Sequence, residues 1–302
     1  MAEKILGKDL RFIVGGVELP VISVDFTDAP DLLDGTDTAT PGDGKDFETG
    51  RVSRTLSVEA NLYGPLGTEI ITGTLTAGTK YLVTGGTISE DQGDFITGYI
   101  FESDGTGTAS ATNKVKPLGA RVKGTDMSLT INSSDVPVTD ADFTETYDEL
   151  DGTDSETTGD GKETIVNRAD RESKVTGIMR VGTDISGASY LPATLQIDTD
   201  TSIAGYVKRT QRHIIDATTD FAKRDYTLKW RGVPTIANLG LTGGATSSFK
   251  IIFKEGLVTD QDITGTLTVT AKNLKSNISS LVTITYTITV NGAITEHAHA
   301  DA

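Results

Sequence analysis

One fifteen-residue stretch occurs twice in this chain. Residues 31–45 read DLLDGTDTATPGDGK and residues 148–162 read DELDGTDSETTGDGK, 117 positions apart and with no gap between the copies' alignments. Held at that offset, the match spreads outward. DLRFIVGGVELPVISVDF (9–26) lies over DMSLTINSSDVPVTDADF (126–143), and RVSRTLSV (51–58) lies over RADRESKV (168–175). Across the aligned segments 9–58 and 126–175, 20 of 50 pairs are identical, among them Pro20 with Pro137, Phe26 with Phe143 and Arg54 with Arg171. That is more than chance supplies. One structural unit is present twice, and a fold for this chain has to accommodate both copies.

The local pattern within each copy is that of strands. Leu10, Phe12 and Val14 alternate with other residues, Gly15-Gly16 turns the chain, and Val17 to Phe26 resumes the strand. In the second copy Met127, Leu129 and Ile131 alternate and Asn132-Ser133 occupies the turn, so each copy should open with a hairpin. The acidic stretch follows. Its Gly, Asp, Thr and Pro content predicts a long surface loop rather than a strand. Alternation returns at 54–62 and at 171–181.

Residues 70–118 have no counterpart in the second copy. They are rich in Gly, Thr and Asp, with short apolar runs at Tyr81 to Val83 and Tyr99 to Phe101, and read as a small β insertion. Further on, Leu195 and Ile197, then Ile203, Tyr206 and Val207, continue the strand pattern, and a strand over 225–230 is expected to end at Trp230. Residues 216–224 suit a short helix or a loop. The strongest strand is the last. There Val282, Ile284, Tyr286, Ile288 and Val290 share one face, and the tail EHAHADA (296–302) should fray. The reading is therefore all-β: residues 1–65 form the first half of one unit, 66–120 a β insertion, 121–235 a second unit, and 236–302 closing strands and a tail.

Composition excludes several function classes. The formal net charge of -16 over 302 residues argues against a basic nucleic-acid reader. The chain has no Cys, which removes disulfides and thiolate metal sites. MAEKILGKDL shows no apolar leader segment, and no apolar run is long enough for a membrane-crossing helix. Asp34, Asp37 and Asp43, with Asp151, Asp154 and Asp160, resemble a calcium loop at first sight. However, the acids do not alternate as such a loop requires and Lys45 or Lys162 stands at the closing end, so Asx turns account for them better. GDGK lacks the spacing of a phosphate-binding loop. The three histidines are His213, His297 and His299, and none forms a catalytic constellation with a nucleophile. No enzyme activity and no cofactor or metal is expected. His213 follows Lys208, Arg209 and Arg212 in VKRTQRH, a basic patch that is either solvated or an interface.

The closing block resembles the end of the tail tube proteins of long-tailed bacteriophages. Phe249-Lys250-Ile251, Gly265-Thr266-Leu267 and the strand 282–292 fill that family's positions, and the opening hairpin, acidic loop and Arg-bearing strand (51–54 and 168–171) are similar to it as well. The resemblance implies a tail tube subunit with two related β-sandwich or barrel domains, built into stacked homo-oligomeric rings, with trimeric rings of pseudo-sixfold symmetry favoured over hexameric ones. DNA would pass through the lumen, the other partners would be further phage tail proteins, and the location would be the virion tail, assembled in the host cytoplasm. Asp31, Asp34, Asp37, Asp43 and Lys45, with Asp148, Asp151, Asp154, Asp160 and Lys162, would contact the neighbouring ring. Lys208, Arg209 and Arg212 would meet such an acidic loop on a neighbour. Residues 194–232 could close the second unit and 248–292 the first, which nests one unit inside the other; a tandem order completed by residues 70–118 is equally compatible with the sequence. Another tail component, or an extracellular β-sandwich binding module, is the alternative function.

Overall fold

The computed structural model describes residues 10–34, 47–153, 161–178, 187, 189–198, 201–215, 223–236, 241–252 and 261–298. It is all-β. The helical content of the described residues is one short 3-10 turn, Gly124–Asp126. Alternating Thr, Val and Ile favour a pleated, half-buried backbone, and the turn residues between them stop any helix from propagating.

The chain begins with β1 (Arg11–Val14), β2 (Val17–Leu19), β3 (Val21–Asp34) and β4 (Phe47–Asn61). Residues 62–122 then carry seven short strands, β5 (Gly73–Thr74) through β11 (Lys114–Pro117). After them come β12 (Ser128–Ile131), β13 (Ser134–Asp151), β14 (Thr164–Ile178), β15 (Leu191–Gln196), β16 (Ser202–Ile215) and β17 (Lys223–Ile236). Three strands finish the chain: β18 (Thr246–Ile252), β19 (Gln261–Asn277) and β20 (Thr283–Ala298).

All strands outside residues 62–122 belong to one sheet, and its order is informative. One set pairs as β2-β1-β18-β19-β20-β4-β3. The other pairs as β12-β15-β16-β17-β14-β13. Read from β1 or from β12, the orders correspond strand for strand. They are also irregular at corresponding places. The β3–β4 ladder slips between Val21 and Ser23 and between Pro30 and Leu32; the β13–β14 ladder slips between Val138 and Asp140 and between Tyr147 and Glu149, each 117 residues later. The β19–β20 ladder slips between Val269 and Ala271, and the β16–β17 ladder between Arg209 and Gln211, each 60 residues earlier. Along the chain, the second set lies between β4 and β18 of the first.

Both opening hairpins are present. Gly15 and Gly16 have φ of 57° and 82°, and Asn132 and Ser133 have 47° and 64°, the two successive left-handed positions that a two-residue hairpin turn requires. The core is continuous across both sets. Phe12, Leu129, Phe143, Leu195, Ile203, Leu228, Ile251 and Leu267 are completely or almost completely buried in it, and so are all five residues of the last strand's apolar face. Residues 70–115 have their own small core of Leu75, Tyr81, Val83, Ile88, Phe95, Phe101 and Val115. They dock on the β1–β2 turn: the Glu18 amide donates to Gly98 O at 2.8 Å, and the Arg11 guanidinium lies 4.8 Å from the Tyr99 ring centre.

Four local expectations need correction. Asp31–Asp34 and Asp148–Asp151, expected in loops, extend β3 and β13, because each hairpin continues its backbone ladder beyond the apolar residues. β17 does not stop at Trp230. Gly232, at φ 67°, takes up a left-handed kink, and the strand runs on to Ile236 against Ile203. The first residues of the expected frayed tail, Glu296 to Ala298, pair with Gln261 to Ile263. The opening strand of the first copy breaks at Pro20, where β2 stays with β1 while β3 joins β4; the aligned Pro137 lies inside the unbroken β13, opposite Ser128. Residues 216–222, which suited a helix or a loop, lie outside the described residues; Lys223 and Arg224 begin β17.

Candidate assembly edges and the polar face

Eight strands form a continuous band in the order β3-β4-β20-β19-β13-β14-β17-β16. One cross-strand row runs through all of it: Ser23, Glu59, Thr285, Asn273, Thr144, Glu172, Lys229, Lys208. Paired residues share a face, so this row and its alternates define a polar side. Asp25, Asp142, Asp170 and Asp225 stand on it among Lys174 and Lys275, and Lys229 Nζ is held by Asp170 at 2.6 Å and Glu172 at 3.1 Å. Asp170, through its hydrogen bond, is the largest cause that raises the Lys229 pKa above the ordinary lysine value. The opposite side is the buried one, with Val58, Tyr286 and Trp230 facing the core. Toward one end of the band, a cavity of about 610 Å³ is bordered by Asp140, His213, Asp225 and Asn277.

The two four-strand halves meet at one seam, β13 against β19. Its ladder runs from Asp140↔Asn277 to Thr146↔Ala271. A charged triad sits beside the Thr146↔Ala271 end, on the buried side. Arg171 Nε donates to Glu145 Oε1 at 2.5 Å, and Lys272 Nζ lies 2.8 Å from Glu145 Oε2. The Glu145 side chain is 2% exposed, Arg171 10% and Lys272 6%. Desolvation is the largest influence on Glu145 and raises its pKa. The contact with Lys272 and the charges of Lys272 and Arg171 together outweigh it and hold the carboxyl below the ordinary glutamate value. Next to it, burial and the Glu145 charge push the Tyr147 hydroxyl up. Arg171 Nη1 also donates to Gly232 O at 2.9 Å. Around the triad, Phe143 meets Trp230 edge-on at 6.1 Å, the indole N–H donates to Ser173 Oγ at 2.5 Å, and Asn273 Nδ2 donates to Asp142 and Thr144.

The first set contains two thirds of this triad. Arg54 Nε lies 2.9 Å from Asp28 Oδ1 and its Nη1 donates to Gly292 O at 3.3 Å, matching Arg171, Glu145 and Gly232 position for position. Asp28, unlike Glu145, is 47% exposed. The reason is topological: among the described residues, no strand pairs with β3 on the side away from β4. The far end of the band is open in the same sense, because the described pairings of residues 208–215 of β16 are to β17.

Of the acidic stretches, Asp31 and Lys162 are brought together. Lys162 Nζ lies 2.8 Å from Asp31 Oδ2, its amide donates to Val52 O, and its carbonyl accepts from the Gly292 amide. Asp148 and Asp151 lie on the exposed end of β13, where the Asp151 carboxylate caps Thr153 and its pKa is lowered by that hydrogen bonding. Asp34 ends β3. Asp37, Asp43, Lys45, Asp154 and Asp160 lie outside the described residues. Lys208, Arg209 and Arg212 are all on β16, at the open end of the band, with Arg212 exposed and the other two half-buried. His213 Nδ1 lies 3.6 Å from Asp225. No group of three or more metal-ligating side chains converges among the described residues, and no helix there is long and apolar enough to cross a membrane.

Sequence reasoning passed over Glu145, Arg171 and Lys272 as a site. The available signal was the preserved Arg54/Arg171 pair, an arginine inside an otherwise alternating strand. No protein-family model matches the chain, and a search of the curated proteins returns no match.

Proposed function

We propose that the chain is the subunit of a stacked-ring tube of the bacteriophage tail type, with DNA passing through the lumen. The observation that carries this reading is the seam: two corresponding four-strand bands are already joined edge to edge within one chain, and among the described residues no strand pairs with either outer edge, β3 or residues 208–215 of β16. An open edge is a hazard in a monomer and an assembly surface in an oligomer. Repeating one head-to-tail step closes a ring, and stacking rings gives a filament. With two bands per chain, three chains supply six.

The polar side of the band would line the channel. It carries carboxylates, part of the formal net charge of -16, and its lysines are interleaved with acidic partners. A wall of that sign repels phosphates and lets a duplex slide without binding. The described parts of the two hairpins, β3–β4 and β13–β14, bring their acidic ends toward the same region through Lys162 and Asp31, where a neighbouring ring would be met. Negative-stain microscopy of the purified protein at high concentration tests the reading. Hollow rings or tubes are expected; monodisperse particles of one chain at all concentrations would refute it.

A further inference from the structure

We propose that the free edge of β3 in one copy pairs antiparallel with residues 211–215 of β16 in a second copy, in the register that joins β13 to β19 within the chain. This rests on the ring reading for its partner and adds the residues that meet.

The register follows from two offsets: β3 matches β13 at 117, and β16 matches β19 at 60 with the bulge in the same place. Glu145↔Lys272 within the chain becomes Asp28↔Arg212 between chains; Thr144↔Asn273 becomes Thr27↔His213; Phe143↔Leu274 becomes Phe26↔Ile214. Charge is preserved at all three triad positions. Asp28 and Arg54 already form a pair, and Arg212 brings the second cation that Lys272 supplies at the internal seam. Burial points the same way. Leu274 is 1% exposed at the internal seam while its counterpart Ile214 is 48% exposed; Phe143 is fully buried while Phe26 is half-buried. An apolar residue left open on one edge, opposite a half-covered aromatic on the other, is what a divided copy of the internal seam would show.

The absence of cysteine makes the register directly measurable. Thr27→Cys with His213→Cys replaces two exposed side chains whose internal counterparts touch, since Asn273 donates to Thr144 Oγ1 at 2.9 Å. Under mild oxidation this variant should give disulfide-linked multimers that reductant dissolves, with at least tenfold more product than Thr27→Cys with Gln211→Cys. Thr144→Cys with Asn273→Cys should link within one chain. If the offset pair links as well as the matched pair, or if rings form and neither links, the register is overturned while the tube reading survives. Matched-pair multimers that never close into hollow rings would overturn the tube reading and leave the edge pairing. A chain that stays monomeric and unlinked overturns both. Arg212→Glu should abolish association with Trp230 emission unchanged, and adding Asp28→Arg should restore it; failure of that rescue also counts against the register.

Discussion

Removing one carboxylate from each half of the band should have very different consequences. Glu145→Ala deletes the shared counter-ion of Arg171 and Lys272, whose side chains are 10% and 6% exposed. Neither cation can swing into water without opening the β13–β19 seam. Breaking a buried pair by deleting one partner costs about 3–5 kcal/mol, mostly from the charge left behind. Asp28→Ala removes the carboxylate at the corresponding position in the first set, but that side chain is 47% exposed and Arg54 keeps its bond to Gly292 O. Arg54 itself is 5% exposed, but water can take the place of the half-exposed carboxylate beside it, so the loss is nearer that of a surface pair, ~0–1 kcal/mol. The gap between the two variants is therefore about 2–5 kcal/mol, or roughly thirty- to five-thousand-fold in the unfolding constant. Trp230 is the chain's single tryptophan, buried against Phe143 at that same seam, so its emission reports the transition during urea titration of dilute protein. Equal midpoint shifts for Glu145→Ala and Asp28→Ala would refute the reasoning, and so would a neutral Glu145→Ala.

Other outcomes follow from the same geometry. Because the Glu145 carboxyl is held below its ordinary value of 4.5, its contribution to stability is complete above that pH and is lost as pH falls through the lower folded value; Glu145→Gln should flatten this acid limb in urea titrations run at stepped pH. Tyr286 is buried, and its hydroxyl is pushed up to about 12, so stability it supports below pH 10 should drain away as pH rises through 12; absorbance at alkaline pH should show one tyrosine ionising together with unfolding, an event that Tyr286→Phe removes. Phe143→Ala should cost about 3–5 kcal/mol through the cavity it leaves beside Trp230, with red-shifted emission. Reversing Lys208, Arg209 and Arg212 to Glu should abolish assembly in sedimentation while circular dichroism stays that of the folded chain; normal tubes from that variant would remove the basic patch from the interface.

Much of the fold was legible in the sequence, and particular residues show why. Strand alternation made the all-β class plain, and the Gly15-Gly16 and Asn132-Ser133 pairs marked hairpins, because turn chemistry is local. The apolar face of the last strand, Val282 to Val290, was read correctly for the same reason. Trp230 was misplaced as a strand end, since a glycine two residues later can finish a strand or kink it, and which one depends on whether a partner continues alongside. Asp31 and Asp148 were placed in loops because composition disfavours strand there, while the hairpin ladder overrides composition.

By itself the sequence determined that the chain folds into strands, that residues 9–58 and 126–175 match at 20 of 50 positions, and that the chain carries excess negative charge. Those properties follow from residue chemistry and short-range periodicity. Only the tertiary structure decided that β18 to β20 return to β4, that β13 meets β19, and that Glu145, Arg171 and Lys272 converge from three strands. Strand pairing across hundreds of residues is selected by which edges and faces can be buried together, and no local pattern encodes that choice.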